Sequence, residues 1–232
     1  MSAGGQNLSF GLLLPGQFQW LDAAGPVDLI NSHSRPVVQG LTSLGLPQEL
    51  VEKAPVITWH YISSDRSPIQ ASSGPPLLPT ATYADCPPLD YLVVPGPDPT
   101  APLPPGCAEF LKERFEGLKG LLTVCTGSTA VATTGLLDGY KVCTNKFALK
   151  ALHAAGLLNK KVTWVGDRRW IVDRKVWSAA GVTAGLDLGA EFVRVNFDPK
   201  LVEFLKGVVE YKANPDQPDD FAYILEGIDY NN

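Results

Sequence analysis

The chain has 232 residues, 45% of them hydrophobic and 19% charged, with a formal net charge of −5 at pH 7. That is apolar length enough for a sizeable core, and the expectation is one globular domain spanning residues 1–232. The acidic balance without a basic patch speaks against nucleic acid as a partner, no apolar stretch approaches a membrane span, and residues 1–7 (MSAGGQN) lack the basic-then-apolar pattern of a secretory signal, so a cytoplasmic protein is expected.

Phe10–Leu14 reads as a buried strand, residues 15–21 as a turn, and a helix is expected to begin at Asp22. Val56–Ser63 is a second, β-branched strand. Residues 64–80, rich in Ser, Pro and Gly, read as a loop or short edge hairpin. Asp90–Val94 is a third buried strand. The six prolines at 95, 97, 99, 102, 104 and 105 then make a stiff surface loop. Cys107–Leu118 is an amphipathic helix, and residues 121–125 a strand followed by a helix that closes at 135–139 (GLLDG). Tyr140–Thr144 reads as a short strand and Asn145–Ala155 as a helix stopped by Gly156. Val162–Val165 and Trp170–Trp177 read as strands, with Asp173 and Arg174 forming a hairpin turn. Val182–Phe197 and Pro199–Tyr211 are helices, and the polar tail from Asn214 is expected to wrap the surface. Short apolar strands alternating with helices give an α/β fold, a mostly parallel sheet covered on both faces. In such sheets the active site lies beyond the carboxyl ends of the strands.

Three turns meet at that edge: Gln17–Asp22, Pro95–Pro97, and the strand-to-helix elbow around Cys125 in GLLTVCTGSTAVA (residues 120–132). An apolar strand that stops at a cysteine, followed by Gly and small residues opening a helix, holds the sulfur at the edge. The helix N-terminus behind it is expected to favour thiolate, the nucleophilic form. A buried structural cysteine is the alternative. Cysteine nucleophiles usually work with a histidine, but Thr126 follows Cys125, and His33, His60 and His153 lie outside these turns. Asp22 is the best acid/base candidate, since a carboxyl beside Phe18, Trp20 and Leu21 is expected to hold its proton more tightly than usual; a plain helix cap is its alternative role. Gly96 and the N–H groups of Thr126 and Gly127 are expected to form an oxyanion-type donor set. Asp187 and Trp164, Trp170 and Trp177 are expected to be structural. The remaining cysteines, Cys86, Cys107 and Cys143, show neither C-x-x-C pairing nor zinc spacing, so free thiols and no metal site are expected.

The elbow VCTGS (residues 124–128) followed by GLLDG resembles the ThiJ/PfpI superfamily, a relative of class I glutamine amidotransferases. The resemblance is closest to its isocyanide hydratase branch. Residues 19–26 (QWLDAAGP), 71–74 (ASSG) with 84–90 (ADCPPLD), 94–96 (VPG) and 181–187 (GVTAGLD) also match that branch, so the likeness spans roughly residues 10–210. The resemblance implies a flavodoxin-like three-layer sandwich, a homodimer, no cofactor, Cys125 as nucleophile, Asp22 as its acidic partner, and Val182 among the substrate-binding residues. It implies hydration of an isocyanide to an N-substituted formamide. A glyoxalase- or deglycase-like enzyme acting on 2-oxoaldehydes and a non-catalytic cysteine redox sensor are the other readings. Thr126, where peptidases and many glyoxalase-type members carry His, and Asp22, where redox-protective members carry Glu, count against the first of these. Two positions depart from the branch: Pro97 stands where a second glycine is usual and lacks an N–H, and Thr144-Asn145-Lys146 stands where Thr-His-Trp is common. With one domain and no recognition helix, a transcriptional role is not expected.

Overall fold

A computed structural model describes residues 5–214 and 218–231. Its centre is a seven-stranded sheet. In chain order the strands are β1 (Asn7–Leu13), β2 (Val56–Ser63), β3 (Ala81–Thr82), β4 (Tyr91–Val94), β5 (Gly120–Val124), β8 (Trp170–Asp173) and β9 (Val176–Ala179), laid side by side as β3-β2-β1-β4-β5-β9-β8. Every pairing is parallel except the β8–β9 hairpin at one edge. β6 (Lys141–Val142) and β7 (Thr163–Trp164) form a separate parallel pair. β4 and β5 are buried along their whole length, which is why they read as unbroken apolar runs rather than alternating ones.

Helices cover both faces. α1 (Trp20–Asn31) and α7 (Ala184–Asn196) pack on each other and, through Ala23, Ile30, Leu188 and Phe192, on Phe10, Val93 and Leu122. On the opposite face α4 (Cys107–Phe115), α5 (Gly127–Ala132) and α6 (Lys146–Ala154) bury Phe110, Val131 and Leu149 against Leu92 and Leu121. A third, smaller cluster joins α2 (Arg35–Gly40) and α3 (Gln48–Lys53) to α8 (Pro199–Val209) through Val38, Leu50, Val51, Leu201 and Leu205. Among the described residues no helix is long and apolar enough to cross a membrane.

Several boundaries differ from expectation. The first helix starts at Trp20, with Gln19 at its cap, so Asp22 lies within the first turn and is not the capping residue. The hairpin expected at Asp173 and Arg174 is present, turning at Arg174, whose φ of 55° is left-handed, but its second strand, β9, runs on to Ala179, two residues past Trp177. The tail does more than wrap. Leu225 is buried in the α4–α6 core, and Asp219 forms a buried ion pair with Lys146; residues 215–217 lie outside the described chain.

Candidate active site

Because β1 is flanked by β2 and β4, the loops after β1 and β4 leave toward opposite faces, and a crevice opens where they part. The turn after β1 brings Asp22 there, the turn after β4 brings Gly96, and Cys125 directly follows β5. Phe18 bridges to Pro97, and the Gln19 N–H donates to the Gly96 carbonyl at 3.0 Å, which ties the first two turns together.

Cys125 adopts a left-handed backbone, φ 56°. For a non-glycine residue this costs about 1–2 kcal/mol and persists only where neighbours hold it. Its N–H donates to the Ala179 carbonyl on β9 at 3.1 Å, and its own carbonyl accepts the Thr144 hydroxyl at 2.9 Å. Gly127, next in line but one, sits so tightly against the Val94 carbonyl that a Cβ would collide with backbone. The elbow thus requires glycine at 127 for close approach to β4. The Thr126 hydroxyl donates to the Pro97 carbonyl at 2.5 Å.

Asp22 is fully buried. Its Oδ2 accepts the Gly96 N–H at 3.0 Å, and Oδ1 has no hydrogen-bond partner within the described chain. Gly96 is itself confined: a Cβ there would lie 2.6 Å from Thr126 Oγ1 and 2.7 Å from Asp22 Oδ2. Burial pushes the Asp22 carboxyl up to about 7, with the Gly96 N–H and the Cys125 thiol working in the opposite direction. Burial also pushes the Cys125 thiol up to about 12, reinforced by the Asp22 charge and opposed by the N–H and hydroxyl of Thr126. The proton of the pair therefore rests on sulfur above pH 7, and Asp22 is the group that ionises near neutrality.

Two expectations change here. A helix N-terminus was expected to favour thiolate, but α5 has only six residues, and desolvation of the thiol of a buried Cys125, next to a carboxylate, outweighs it. Gly96 was expected to supply an oxyanion donor, but its N–H is taken up by Asp22. Gly127, the first residue of α5, keeps an N–H that the helix does not use. Val182 stands half-buried in the turn after β9, three residues past the Ala179 that pairs with Val124; its carbonyl accepts from Gly185, and it makes no hydrogen bond to Asp22 or Cys125. Pro97, noted for its missing N–H, acts through its carbonyl. His33, buried against the Leu29 carbonyl, His60 on β2 and His153 on α6 all lie outside the turns that form the site. Asp187 is a structural group, accepting from Arg169, Tyr211 and Asn214. Among the described residues no group of three His, Cys, Asp or Glu side chains is arranged to hold a metal ion.

Thr144 and Ser128 escaped sequence reasoning as supporting residues. Ser128 donates to the Cys143 carbonyl at 2.7 Å, which fastens the end of β6 behind the elbow. The only signal was Thr144 ending a strand, and nothing in sequence spacing says that this strand ends behind Cys125.

Residues 44–195 match the model of the DJ-1/PfpI family. The chain belongs to the DJ-1/PfpI family. It is 27% identical over 210 residues to the isonitrile hydratase of Pseudomonas putida, an alignment covering 90% of this chain and 80% of that protein. It is 30% identical over 131 residues to the HTH-type transcriptional regulator GbdR of Pseudomonas aeruginosa, but the match covers 56% of this chain and only 35% of the regulator. Two solved structures share the fold. A THiJ/PfpI family protein from Pseudomonas syringae superposes with a TM-score of 0.68 at 24% identity, covering 93% of this chain and 79% of that one. DJ-1beta of Drosophila melanogaster does so with a TM-score of 0.65 at 12% identity, covering 89% and 100%.

Proposed function

We propose that this protein hydrates an isocyanide to an N-substituted formamide, with Cys125 as nucleophile and Asp22 as acid and base. The observation that carries this reading is the buried Asp22–Cys125 pair itself, in which a carboxyl ionising near pH 7 is the proton acceptor for a thiol. The likeness to isonitrile hydratase along 90% of the chain supports it. So does the recess: a buried nucleophile, in a residue only 8% exposed, suits a slim linear head group, R–N≡C, better than a trigonal carbonyl.

Asp22 carboxylate takes the thiol proton as Sγ attacks the terminal carbon, and the C–S bond forms. Asp22 returns that proton to the same carbon, leaving the thioimidate R–N=CH–S–Cys125. Water then adds to this carbon, with Asp22 accepting one of its protons and passing it to nitrogen. The tetrahedral adduct collapses, the C–S bond breaks, the hydroxyl proton returns by way of Asp22 to sulfur, and R–NH–CHO leaves. One water is consumed and the enzyme is restored. The Gly127 N–H would steady negative charge during these steps, whereas the one proton of the Thr126 hydroxyl is committed to the Pro97 carbonyl.

Turnover of an aliphatic isocyanide by wild type, Cys125→Ala and Asp22→Ala, followed by formamide release, tests the reading. Formamide from wild type alone is expected, and its formation by Cys125→Ala would defeat the proposal. The pH profile gives an independent check. Because Asp22 must be ionised to accept the thiol proton, kcat/KM rises with pH through a midpoint near 7 and stays high on the alkaline side, where the thiol keeps its proton to about 12. A profile that is flat or falls between pH 5.5 and 8.5 would contradict this assignment.

The raised thiol also bears on the redox-sensor reading. Oxidation by peroxide proceeds through thiolate, so intact-mass analysis after mild peroxide is expected to find Cys125 largely unmodified at pH 7. Rapid conversion to sulfinate would favour the sensor instead.

A further inference from the structure

The Ser-, Pro- and Gly-rich segment between β2 and β3 reaches the turn that carries Asp22. Ile69 and Leu77 form an antiparallel bridge, each N–H donating to the other's carbonyl at 2.8 Å, so residues 69–77 make a short hairpin. Its tip is braced from within: Gly74 takes a left-handed φ of 81°, and the Gln70 side-chain amide donates to the Gly74 carbonyl at 3.0 Å. Ala71 anchors it, buried in the same core cluster as Phe18 and Ala23. Gly74 stands against the Trp20 indole, where a Cβ would lie 3.5 Å from the ring.

From this braced tip Ser72 holds the turn after β1 at two points. Its N–H donates to the Phe18 carbonyl at 2.7 Å, and its Oγ accepts the Trp20 N–H at 3.0 Å. Trp20 opens α1, and the first N–H groups of a helix have no partner within it. Gln19 occupies the cap position but makes no side-chain cap hydrogen bond, so the cap comes from Ser72, 52 positions past Trp20. Between the two points, the Gln19 N–H is tied to the Gly96 carbonyl. The turn is thus held from the hairpin on one side and from the end of β4 on the other. Asp22 follows two residues past Trp20, with Oδ2 on the Gly96 N–H.

We propose that Ser72 is a positioning residue of this site: by capping α1 from the hairpin, it keeps Asp22 buried beside Cys125. Its part in turnover rests on the hydratase reading above. The ionisation of Asp22 reports on the placement. Burial is the main cause that lifts the carboxyl to about 7, so a turn that loosens and admits water lowers it toward the ordinary 3.8. The titratable group facing Asp22 is Cys125. Residues 14–21, 69–77 and 95–97 carry no titratable side chain. On α1 itself, Asp28 lies nearly two turns further on. α7 meets α1 through Gly185 and Leu186, while its Asp187 is committed to Arg169, Tyr211 and Asn214, and its Glu191 and Arg194 pair with each other.

The test compares wild type with Ser72→Ala, which removes the cap, Ser72→Thr, which keeps a hydroxyl, and Ser73→Ala on the neighbouring residue; both positions are exposed. Carbon-13 NMR of protein labelled at its aspartate carboxyls follows Asp22 without any substrate, with Asp22→Asn identifying the signal. The midpoint near 7 is expected to fall by about half a pH unit or more in Ser72→Ala and to return in Ser72→Thr, with Ser73→Ala matching wild type. With butyl isocyanide at pH 8, kcat is expected to fall about twofold to thirtyfold in Ser72→Ala, the range that loss of one helix cap corresponds to. KM is expected to change less than about twofold, and Ser72→Thr to recover the rate. A cap that only stabilised α1 would lower the unfolding midpoint and leave both the Asp22 titration and kcat in place. An unchanged Asp22 midpoint in Ser72→Ala, an equal change in Ser73→Ala, or full turnover by Ser72→Ala would overturn the inference. If wild type turns over no isocyanide, the hydratase reading fails, and the Asp22 titration alone decides whether Ser72 positions it.

Discussion

Asp22→Asn is expected to be inactive yet more stable than the wild type at pH 8. Loss of the proton acceptor should lower kcat/KM by about 10²–10⁴-fold, the range typical of positioned acid–base groups. The stability gain follows from linkage. Asp22 holds its proton up to about 7 in the folded chain, against an ordinary 3.8. Below pH 4 both folded and unfolded chains carry the proton, and nothing is lost. Between about 4 and 7 the unfolded chain releases it while the folded chain does not, so stability falls as pH rises, by about 1.4 kcal/mol per unit. Above 7 the folded state carries a buried carboxylate at a total penalty of about 4 kcal/mol. Asparagine removes that charge and can still accept the Gly96 N–H through its own carbonyl. Its amide N–H₂ then occupies a buried position where Oδ1 has no partner, which costs about 1–3 kcal/mol. The net expectation is a gain of about 1–3 kcal/mol at pH 8 that vanishes or reverses by pH 4. Denaturant unfolding of both proteins at the two pH values checks it. A difference between them that does not change with pH would mean Asp22 is not the strained carboxyl described here.

This stability penalty explains why the site was partly legible in sequence. A strand of apolar residues ending in Cys125, a carboxyl among large apolar side chains and a glycine between two prolines are local patterns, and each placed its residue at the correct edge of the sheet. The ionisation of Cys125 was not legible, because it is the sum of burial by several elements and the charge of a residue 103 positions away in the chain. The Gly96 donor was misassigned for a related reason: a glycine N–H at a strand end looks free until the partner across the crevice is known. On the fold, β4 and β5 stood out because burial on both faces leaves them uniformly apolar. The segment 35–53 gave no signal. Its two six-residue helices bury only Val38, Leu50 and Val51 between them, too few to form a period, and they are held by Leu201 and Leu205 from the far end of the chain.

The same separation in sequence hid Lys146, whose pairing carries the second large expectation. Read alone, Lys146 was a lost aromatic near the site. In the structure its ammonium is buried, paired with Asp219 at 2.5 Å and donating to the Arg168 carbonyl at 3.2 Å, and both partners' side chains are 4% exposed. The Phe221 N–H holds the other carboxylate oxygen at 3.1 Å. Removing one partner leaves an uncompensated buried charge, so Asp219→Leu is expected to lose about 3–5 kcal/mol. The double substitution Lys146→Met, Asp219→Leu removes both charges and should recover most of that loss, because an apolar pair of similar volume avoids the desolvation of two ions. Activity should follow a different rule. Lys146 begins α6 two residues after Thr144, whose hydroxyl holds the carbonyl of the left-handed Cys125. If α6 keeps its seat in the double variant, Thr144 keeps its bond and turnover survives along with stability. Unfolding curves and kcat for the two single variants and the double variant resolve the matter. A double variant no more stable than Asp219→Leu would show that the tail is anchored by something other than this charge pair.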